Sequence, residues 1–334
     1  MYKAFQRQDA KLNARIFCIV ASLVVLLVAA FLSSCSTQPS DSGNAHEKVP
    51  VVASFYPMAD FAKKIGGDKV EVTTLVPSGI EPHDWEPSPA DIEKLEKARV
   101  LIYNGLGMEY WVDDTLPALG NKNLVTCFAA DGVSIIESNH AHEQAHEHES
   151  NGKEDSTKYG EVQDPHVWLN PLNAKVELSN IKDALVKADP DNASYYEENY
   201  KLYAQKCDEL DTEYKSTLEG LARHEIIVSH DAYGYLSSAY GLETHPIEGL
   251  HADGDPSPQE LAELASMVKK EGIKVIFAET LLDPKTVKTL SEETGAKVEV
   301  LNPLEGLSEE EIANGEDYFT VMQKNLESLK VALS

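Results

Sequence analysis

The sequence predicts an α/β protein of two lobes, each with an open, mostly parallel sheet, joined by one long rigid helix. Two observations predict it. Short apolar runs alternate with stretches of helical periodicity in the first half of the chain and again after residue 222, as in folds with parallel sheets. Between these halves, residues 194–221 show an uninterrupted helical pattern. At 1.5 Å per residue this helix spans roughly 40 Å, enough to connect two lobes.

The chain opens with a basic segment and an uncharged apolar run, residues 16–32, which ends in Leu-Ser-Ser-Cys at Cys35. The run is short for a membrane span of about 20 residues. Small residues before a cysteine resemble a bacterial lipoprotein signal. We therefore expect a signal peptide at 1–34, cleavage before a lipid-modified Cys35, and a polar tether at 35–49. The mature protein would then be extracytoplasmic, lipid-anchored to the bacterial cell membrane.

The predicted N-terminal lobe covers residues 50–193. Apolar runs predict strands at 51–55, 70–76 and 100–103, and helical spacing predicts helices at 56–65, 91–98 and 173–187. Before the last helix lies a tract at 139–163 with many histidines and acidic residues but few apolar ones. Such a composition cannot bury enough surface to order itself, so it predicts a mobile loop.

The predicted C-terminal lobe covers residues 222–334 and repeats the alternation. Its expected strands are at 225–229, 275–278 and 297–301, and its expected helices at 258–271, 284–294 and 316–333. No internal repeat is clear in the sequence. In open α/β folds, ligands bind beyond the carboxyl ends of strands and in clefts between lobes. Polar residues at those positions are therefore the candidate site residues.

Composition narrows the functional classes. The formal net charge of −27 disfavours a nucleic-acid partner, which needs basic patches. Cys127 and Cys207 lie outside CxxC spacing, so a thiolate metal site is not supported, and whether they pair is left open. No HExxH helix or other recognised hydrolytic motif supports catalysis, so we predict no enzyme. A zinc hydrolase and a surface adhesin remain the less favoured alternatives.

Five side chains fall at predicted strand or loop ends. His83 follows the second strand, His166 follows the histidine-rich tract, and His230 follows the strand at 225–229. Glu305 follows the last strand and Glu279 follows the strand at 275–278. Three imidazoles and one carboxylate make a four-coordinate set suited to zinc, with either glutamate as the acid.

The tract itself predicts a second, weaker role. Its closely spaced histidines would gather metal loosely and lead to a rigid ligand at His166. The accessory residues are His140, His142, His146 and His148. Glu81, close to His83, is a further candidate as a substitute acid.

Four segments resemble motifs of one known family, in the family's order. They are PSGIEPHDWEP at 77–87, DPHVWLNP at 164–171, SHDAYGY at 229–235 and LNPLEG at 301–306. With them, residues 50–334 resemble the cluster A-I (cluster 9) family of metal-binding ABC-transporter substrate-binding lipoproteins, in its zinc-type branch.

The resemblance implies two lobes, a rigid linking helix and one buried metal, delivered by a monomer to the membrane permease and ATPase of an ABC importer. His83, His166 and His230 match the family's three histidine ligands. Glu305 matches a fourth position where members use Glu, Asp or water, and Glu279 stays the alternative. Manganese-type members place Glu where His230 stands, so we expect Zn²⁺ as the transported ligand, with manganese or another divalent metal as the alternative.

Overall fold

The computed structural model describes residues 47–137, 163–250 and 256–334. Three predictions fall outside these ranges: the signal peptide, the lipid site at Cys35 and the four accessory histidines of the tract. Within the described ranges, no helix is both long and apolar enough to cross a membrane.

The N-terminal sheet has four parallel strands in the order β2-β1-β3-β4. The strands are β1 (Val49–Ala53), β2 (Val70–Thr74), β3 (Val100–Tyr103) and β4 (Val125–Phe128). The helices of this half are α1 (Tyr56–Gly66), α2 (Pro89–Lys97) and α3 (Val112–Ala118). All strands therefore end at the same edge of the sheet, which is the edge where the sequence places candidate ligands.

Two helices follow, α4 (Pro171–Ala188) and α5 (Ala193–Leu218). The second is the predicted linking helix, and it contacts helices of both lobes. The Asn199 side-chain amide donates to the main-chain oxygen of Ile65 at the end of α1 (2.9 Å). The Tyr214 hydroxyl donates to the main-chain oxygen of Met322 in the C-terminal half (2.6 Å).

The C-terminal sheet is also fully parallel among the described residues, with the order β6-β5-β7-β8. The strands are β5 (Glu225–His230), β6 (Glu243–Glu248), β7 (Val275–Ala278) and β8 (Lys297–Val300). The helices are α6 (Gly234–Tyr240), α7 (Pro258–Glu271), α8 (Lys285–Thr294), α9 (Glu309–Ala313) and α10 (Tyr318–Leu333). The two sheets therefore share one topology, although the sequence shows no clear repeat.

Alternation along the strands divides the core into three layers. Val51 in β1 and Ile226 in β5 point to a single buried cluster that runs through both lobes. Val52 faces an outer cluster with residues of α2 and α3, and Ile227 faces another with residues of α7 and α8. Because successive strand residues point to opposite faces, each sheet packs one face against its own outer cluster and the other face against the cluster that runs through both lobes. The predicted fold class is confirmed.

The sequence analysis missed two strands and three helices. The missed strands, β4 and β6, are both at sheet edges. β6 reads Glu-Thr-His-Pro-Ile-Glu, which lacks the apolar alternation that identifies a strand, and proline is tolerated there because an edge strand has a free side. The missed helices, α3, α6 and α9, have seven residues or fewer and are too short for a clear periodic signal.

Candidate metal centre

His83 lies in the long loop between β2 and α2, flanked by turn-forming prolines. Its main-chain N–H donates to the Glu81 carboxylate (2.9 Å), a local turn within three residues. The loop ends where Ser88 and Asp91 form a capping box at the start of α2. The His83 ring is buried, with 5% of the residue exposed, and its Nε2 atom points to the centre described below.

His166 is oriented by its own sequence neighbour. The Asp164 carboxylate accepts from the main-chain N–H of His166 (2.9 Å) and lies 2.8 Å from its Nδ1 atom. In the neutral ring, a carboxylate at this distance keeps the hydrogen on Nδ1, so Nε2 is the nitrogen with a lone pair. A single 3₁₀ turn, Val167–Leu169, follows at once and is fully buried. The direction of the ring is therefore fixed, and in its neutral form so is the tautomer.

His230 is the last residue of β5 and is oriented from a distant part of the chain. Its Nδ1 atom lies 2.7 Å from the carboxylate of Glu279, at the end of the neighbouring strand β7. The Ser229 hydroxyl donates to the same carboxylate oxygen (2.5 Å). In the neutral ring this contact again keeps the hydrogen on Nδ1 and leaves Nε2 with a lone pair. That atom is buried and makes no hydrogen bond within the described residues.

Glu305 follows β8 in a tightly held loop. Leu304 has a positive φ of 62°, a conformation that costs an L-residue about 1 kcal/mol or more. The turn is held because the Asn302 side chain accepts from the Leu304 N–H (2.7 Å). Asn325 in α10 accepts from the Asn302 N–H (2.9 Å) and donates to its carbonyl (2.7 Å). The strained turn directs the Glu305 carboxylate inward, where 1% of the residue is exposed.

These four side chains converge. Oε1 of Glu305 lies 3.2 Å from Nε2 of His83, 2.8 Å from Nε2 of His166 and 3.2 Å from Nε2 of His230. The Nε2 atoms of His83 and His166 are 3.2 Å apart, and all four donor atoms lie within 4.8 Å of one another. Bonds of about 2.0–2.1 Å to zinc place tetrahedral donors about 3.3 Å apart. The donor group therefore has the size and the chemistry of a zinc site.

Without a cation, protons balance the charge of this group. Burial lowers the pKa of His166, but hydrogen bonds with Asp164 and Glu305 outweigh it and raise that pKa to about 9. The pKa of His230 is raised well above its usual value, since Glu279 and Glu305 outweigh its burial. Burial lowers the pKa of His83. The three imidazoles outweigh burial at Glu305 and hold its pKa well below the usual range. A divalent cation at the centre would replace these protons.

A cavity of about 450 Å³ adjoins the centre between the lobes. Its lining includes Tyr56, Asp60, Ser78, Glu305 and Glu316. Glu305 thus belongs to the buried donor group and also borders this cavity.

The structure places the predicted site residues in three groups. The three histidines and Glu305 come together in one cluster. Glu279 lies behind the ring of His230 and is not in that cluster. Glu81 bonds the main chain of His83 through one oxygen, while its other oxygen is buried without a hydrogen bond among the described residues.

Sequence reasoning assigned no role to the residues that orient the ligands. Asp164 could have been found, because a carboxylate two residues before a candidate histidine can reach its ring. Ser229, Asn302 and Asn325 carry no such signal, since they act across the fold. Cys127 and Cys207 are both buried and free.

Comparison with known proteins agrees with this geometry. Residues 51–332 match the family model described as ZnuA, zinc-uptake complex component A, periplasmic. The high-affinity zinc uptake system protein ZnuA of Bacillus subtilis (strain 168) is 42% identical over 314 residues, which are 94% of this chain and 96% of that protein. The chain spans about 60% of the length of the streptococcal zinc-binding AdcA proteins that it also matches.

Solved structures extend the comparison. The Zn(II)-bound ZnuA-like domain of Streptococcus pneumoniae AdcA is 34% identical, with a TM-score of 0.72, covering 86% of this chain and 99% of that one. The laminin-binding protein Lmb of Streptococcus agalactiae, described as a bifunctional adhesin and metal transporter, is 28% identical, with a TM-score of 0.74, covering 86% and 100%. The topology, the four convergent donors and the match over nearly the whole described chain agree: this chain belongs to the ZnuA family of zinc-uptake proteins.

Proposed function

We propose that the protein captures Zn²⁺ outside the cytoplasm and delivers it to the membrane permease and ATPase of an ABC importer. The observation that carries the proposal is the buried cluster of His83, His166, His230 and Glu305. Membership of a family described as a component of a zinc-uptake complex supports it.

The donor set favours zinc over manganese. Three imidazole nitrogens and one carboxylate oxygen suit zinc and other later divalent metals, while manganese prefers more oxygen. A manganese or other divalent-metal protein of the same transporter type is the alternative. The set also favours binding over catalysis, because four protein ligands leave no position for the water that a zinc hydrolase must activate.

Delivery follows from the way the ligands are divided. His83 and His166 come from the N-terminal half, and His230 and Glu305 from the C-terminal half. Neither half alone offers more than two donors. A small displacement of one half, or protonation of the histidines, would therefore open the coordination shell and release the ion to the permease.

We further propose that a lipid at Cys35 anchors the mature protein as a monomer, after removal of residues 1–34. The proposed organisation also includes a tether at 35–49 and two lobes, 50–193 and 222–334, which residues 194–221 join. Cys35→Ser should yield an unlipidated form, either released or retained as precursor. Lipid still attached to that variant would overturn the anchor.

The histidine-rich tract, 139–163, is proposed as an accessory site. Ordering several histidines on zinc costs conformational entropy, so its affinity should be weak compared with a preformed site. Deleting residues 139–155 should remove weaker zinc equivalents and keep one tight ion in a calorimetric titration. Loss of the tight ion would show that the two sites are ranked wrongly.

The direct test of the proposed function is the metal content after purification without added zinc, with competitive titration of zinc against manganese. We expect one tightly bound zinc and a much weaker affinity for manganese. His230→Glu should weaken zinc binding and reduce the difference between the zinc and manganese affinities, because it exchanges a nitrogen donor for an anionic oxygen. Bound manganese in the wild type, with tighter manganese than zinc binding, would favour the alternative.

A further inference from the structure

Three buried tyrosines of the C-terminal half hold the backbone that carries the metal ligands. They are Tyr233 and Tyr235, at the start of α6, and Tyr318, the first residue of α10. Each of them is at most 3% exposed. Each also donates its hydroxyl hydrogen to a main-chain carbonyl close in sequence to a ligand.

Two of these tyrosines, from the opposite lobe, form hydrogen bonds with the main chain of the His166 segment. The Tyr235 hydroxyl donates to the carbonyl of Asp164 (3.0 Å), two residues before His166. The Tyr318 hydroxyl donates to the carbonyl of Trp168 (2.7 Å), two residues after it. A ligand of the N-terminal half is thus held on both sides by side chains of the C-terminal half.

The third tyrosine and an indole N–H form similar hydrogen bonds with the main chain of the Glu305 loop. The Tyr233 hydroxyl donates to the carbonyl of Leu301 (2.7 Å), at the start of the Glu305 loop. The Trp168 indole N–H donates to the carbonyl of Pro303 (2.7 Å), two residues before Glu305. Tyr318, Trp168 and Pro303 therefore form a continuous hydrogen-bonded chain that links the segment of one ligand to the loop of another.

Buried aromatic hydroxyls suit such a task. A tyrosine ring packed on all sides has little rotational freedom, and its buried O–H must find an acceptor. The carbonyl it bonds is consequently held in place. Metal ligands need positioning to within about 0.5 Å, and the nearest contact in this centre, His166 to Glu305, is between the two segments that the tyrosines hold.

We propose that Tyr233, Tyr235 and Tyr318 are positioning residues that set the geometry of the metal centre across the lobe interface. This inference rests on the proposed zinc-binding function. Their hydroxyls donate to main-chain carbonyls and not to ligand side chains, so they act through the main chain on either side of His166 and before Glu305. Their removal should therefore loosen the zinc geometry rather than delete a ligand.

The test compares Tyr→Phe variants in the full chain, since each loses one hydroxyl and keeps its ring. The matched control is Tyr214→Phe. Tyr214 is equally buried and its hydroxyl also donates to a main-chain carbonyl, that of Met322 (2.6 Å), which adjoins no ligand. Y233F, Y318F and Y214F should lower the urea midpoint of the metal-free protein to a similar degree, because each loses one buried hydrogen bond. Y235F should lower it more, because the Tyr235 hydroxyl also accepts from the main-chain N–H of Ile136 (3.1 Å).

Zinc binding should separate the two groups. We expect Y235F and Y318F each to raise the zinc Kd about tenfold, as for other residues behind metal ligands, mainly through faster release to a chelator. Y233F should have a smaller effect of the same sign. The visible spectrum of the Co²⁺-substituted protein, which reports ligand geometry, should shift in these three variants and stay unchanged in Y214F.

Three results would contradict either this inference or the proposed function. If all four variants change zinc release equally, the tyrosines act only through general stability and the inference is overturned. If Y235F and Y318F keep the wild-type spectrum and zinc Kd, these tyrosine hydrogen bonds do not set the geometry of the metal centre. If the wild type itself holds no tight zinc, it is the proposed function that fails, and the failure is distinguishable because it precedes any variant.

Discussion

The two lobes share a strand order but orient their candidate metal ligands by different means. In the N-terminal half the contacts are local: Glu81 bonds the main chain of His83 two residues away, and Asp164 bonds His166 two residues away. Each of these two histidines is bonded by a carboxylate of its own segment, although the main chain around His166 is also held by tyrosines of the C-terminal half.

In the C-terminal half the corresponding contacts cross the fold. His230 depends on Glu279, 49 residues further along the chain, and the loop of Glu305 depends on Asn325 in a helix that follows it. The proposed coordination shell thus combines residues oriented by their local sequence with residues that only the assembled fold orients. Variants of both kinds should show how much each contributes to metal binding.

The first prediction asks whether both halves supply essential donors. His166→Ala and His230→Ala should each raise the zinc Kd about 1,000-fold or more, equivalent to about 4 kcal/mol, because each leaves three donors in a buried shell. Calorimetric or competitive titration measures this. His245→Ala is the control, since that side chain lies in β6 and is not in the donor cluster. Wild-type affinity in either ligand variant would show that its half does not contribute.

The second prediction uses the raised pKa values of the centre. Zinc needs neutral imidazoles, and in the metal-free protein the pKa of His166 is about 9. Zinc affinity should therefore fall as the pH drops below about 9, by about 50-fold between pH 9 and 7 for the proton displaced from His166 alone, and more steeply as His230 also loses a proton to the ion. The free energy of unfolding of the metal-free protein should instead rise as the pH drops over the same range.

The sign for stability follows from the same shift. A histidine whose folded pKa lies above its unfolded value of 6.5 stabilises the fold fully below about 6.5 and loses this contribution as the pH rises through about 9. Urea unfolding of the metal-free protein and zinc titrations at pH 6, 7.5 and 9 measure both trends. Zinc affinity that stays constant over this range would contradict displacement of protons from His166 and His230.

The third prediction compares the local and the long-range orienting carboxylates. Asp164→Asn and Glu279→Gln keep size and hydrogen-bonding capacity but remove the charge that fixes the ring. Each should weaken zinc binding about tenfold, seen as faster zinc release to a chelator. A large effect at one site and none at the other would show that one half alone determines affinity.

The fourth prediction contrasts buried polar side chains on the two helices that pack against the sheets. Glu177 in α4 is fully buried, and neither carboxylate oxygen has a hydrogen-bond partner among the described residues. Burial, with the nearby Glu109, raises its pKa well above the usual range. Asn325 in α10 is equally buried but bonds the main chain of Asn302 in both directions.

Glu177→Met should therefore stabilise the protein by about 1–2 kcal/mol, because an unpartnered polar group leaves the core. Asn325→Leu should destabilise it by about 1–3 kcal/mol, because two main-chain groups lose their partners. Urea denaturation at neutral pH measures both. An acid with a raised folded pKa costs stability as the pH rises above its unfolded value, so Glu177→Met should also make stability less dependent on pH. Destabilisation by Glu177→Met would indicate that the carboxyl is satisfied.

The fold class, the linking helix and the three candidate histidines could be predicted from the sequence alone. Strands β1 and β5 are buried on both faces and form short apolar runs, and the long helical pattern that contains α5 has no proline, so local patterns identify these elements. His83, His166 and His230 follow or end recognisable segments. Each of these signals is contained within a few neighbouring residues.

The remaining features depend on the tertiary structure. The residues alone left Glu279 and Glu305 both open as the acid, and the resemblance to the family favoured Glu305 with Glu279 as the alternative; the fold turns Glu279 towards the ring of His230 and Glu305 into the donor cluster. The edge strands β4 and β6 form because a neighbouring strand is present to pair with, and the tyrosines act on segments of the other half. These features depend on contacts between residues far apart in the chain, and such contacts leave no periodic or compositional trace in the sequence.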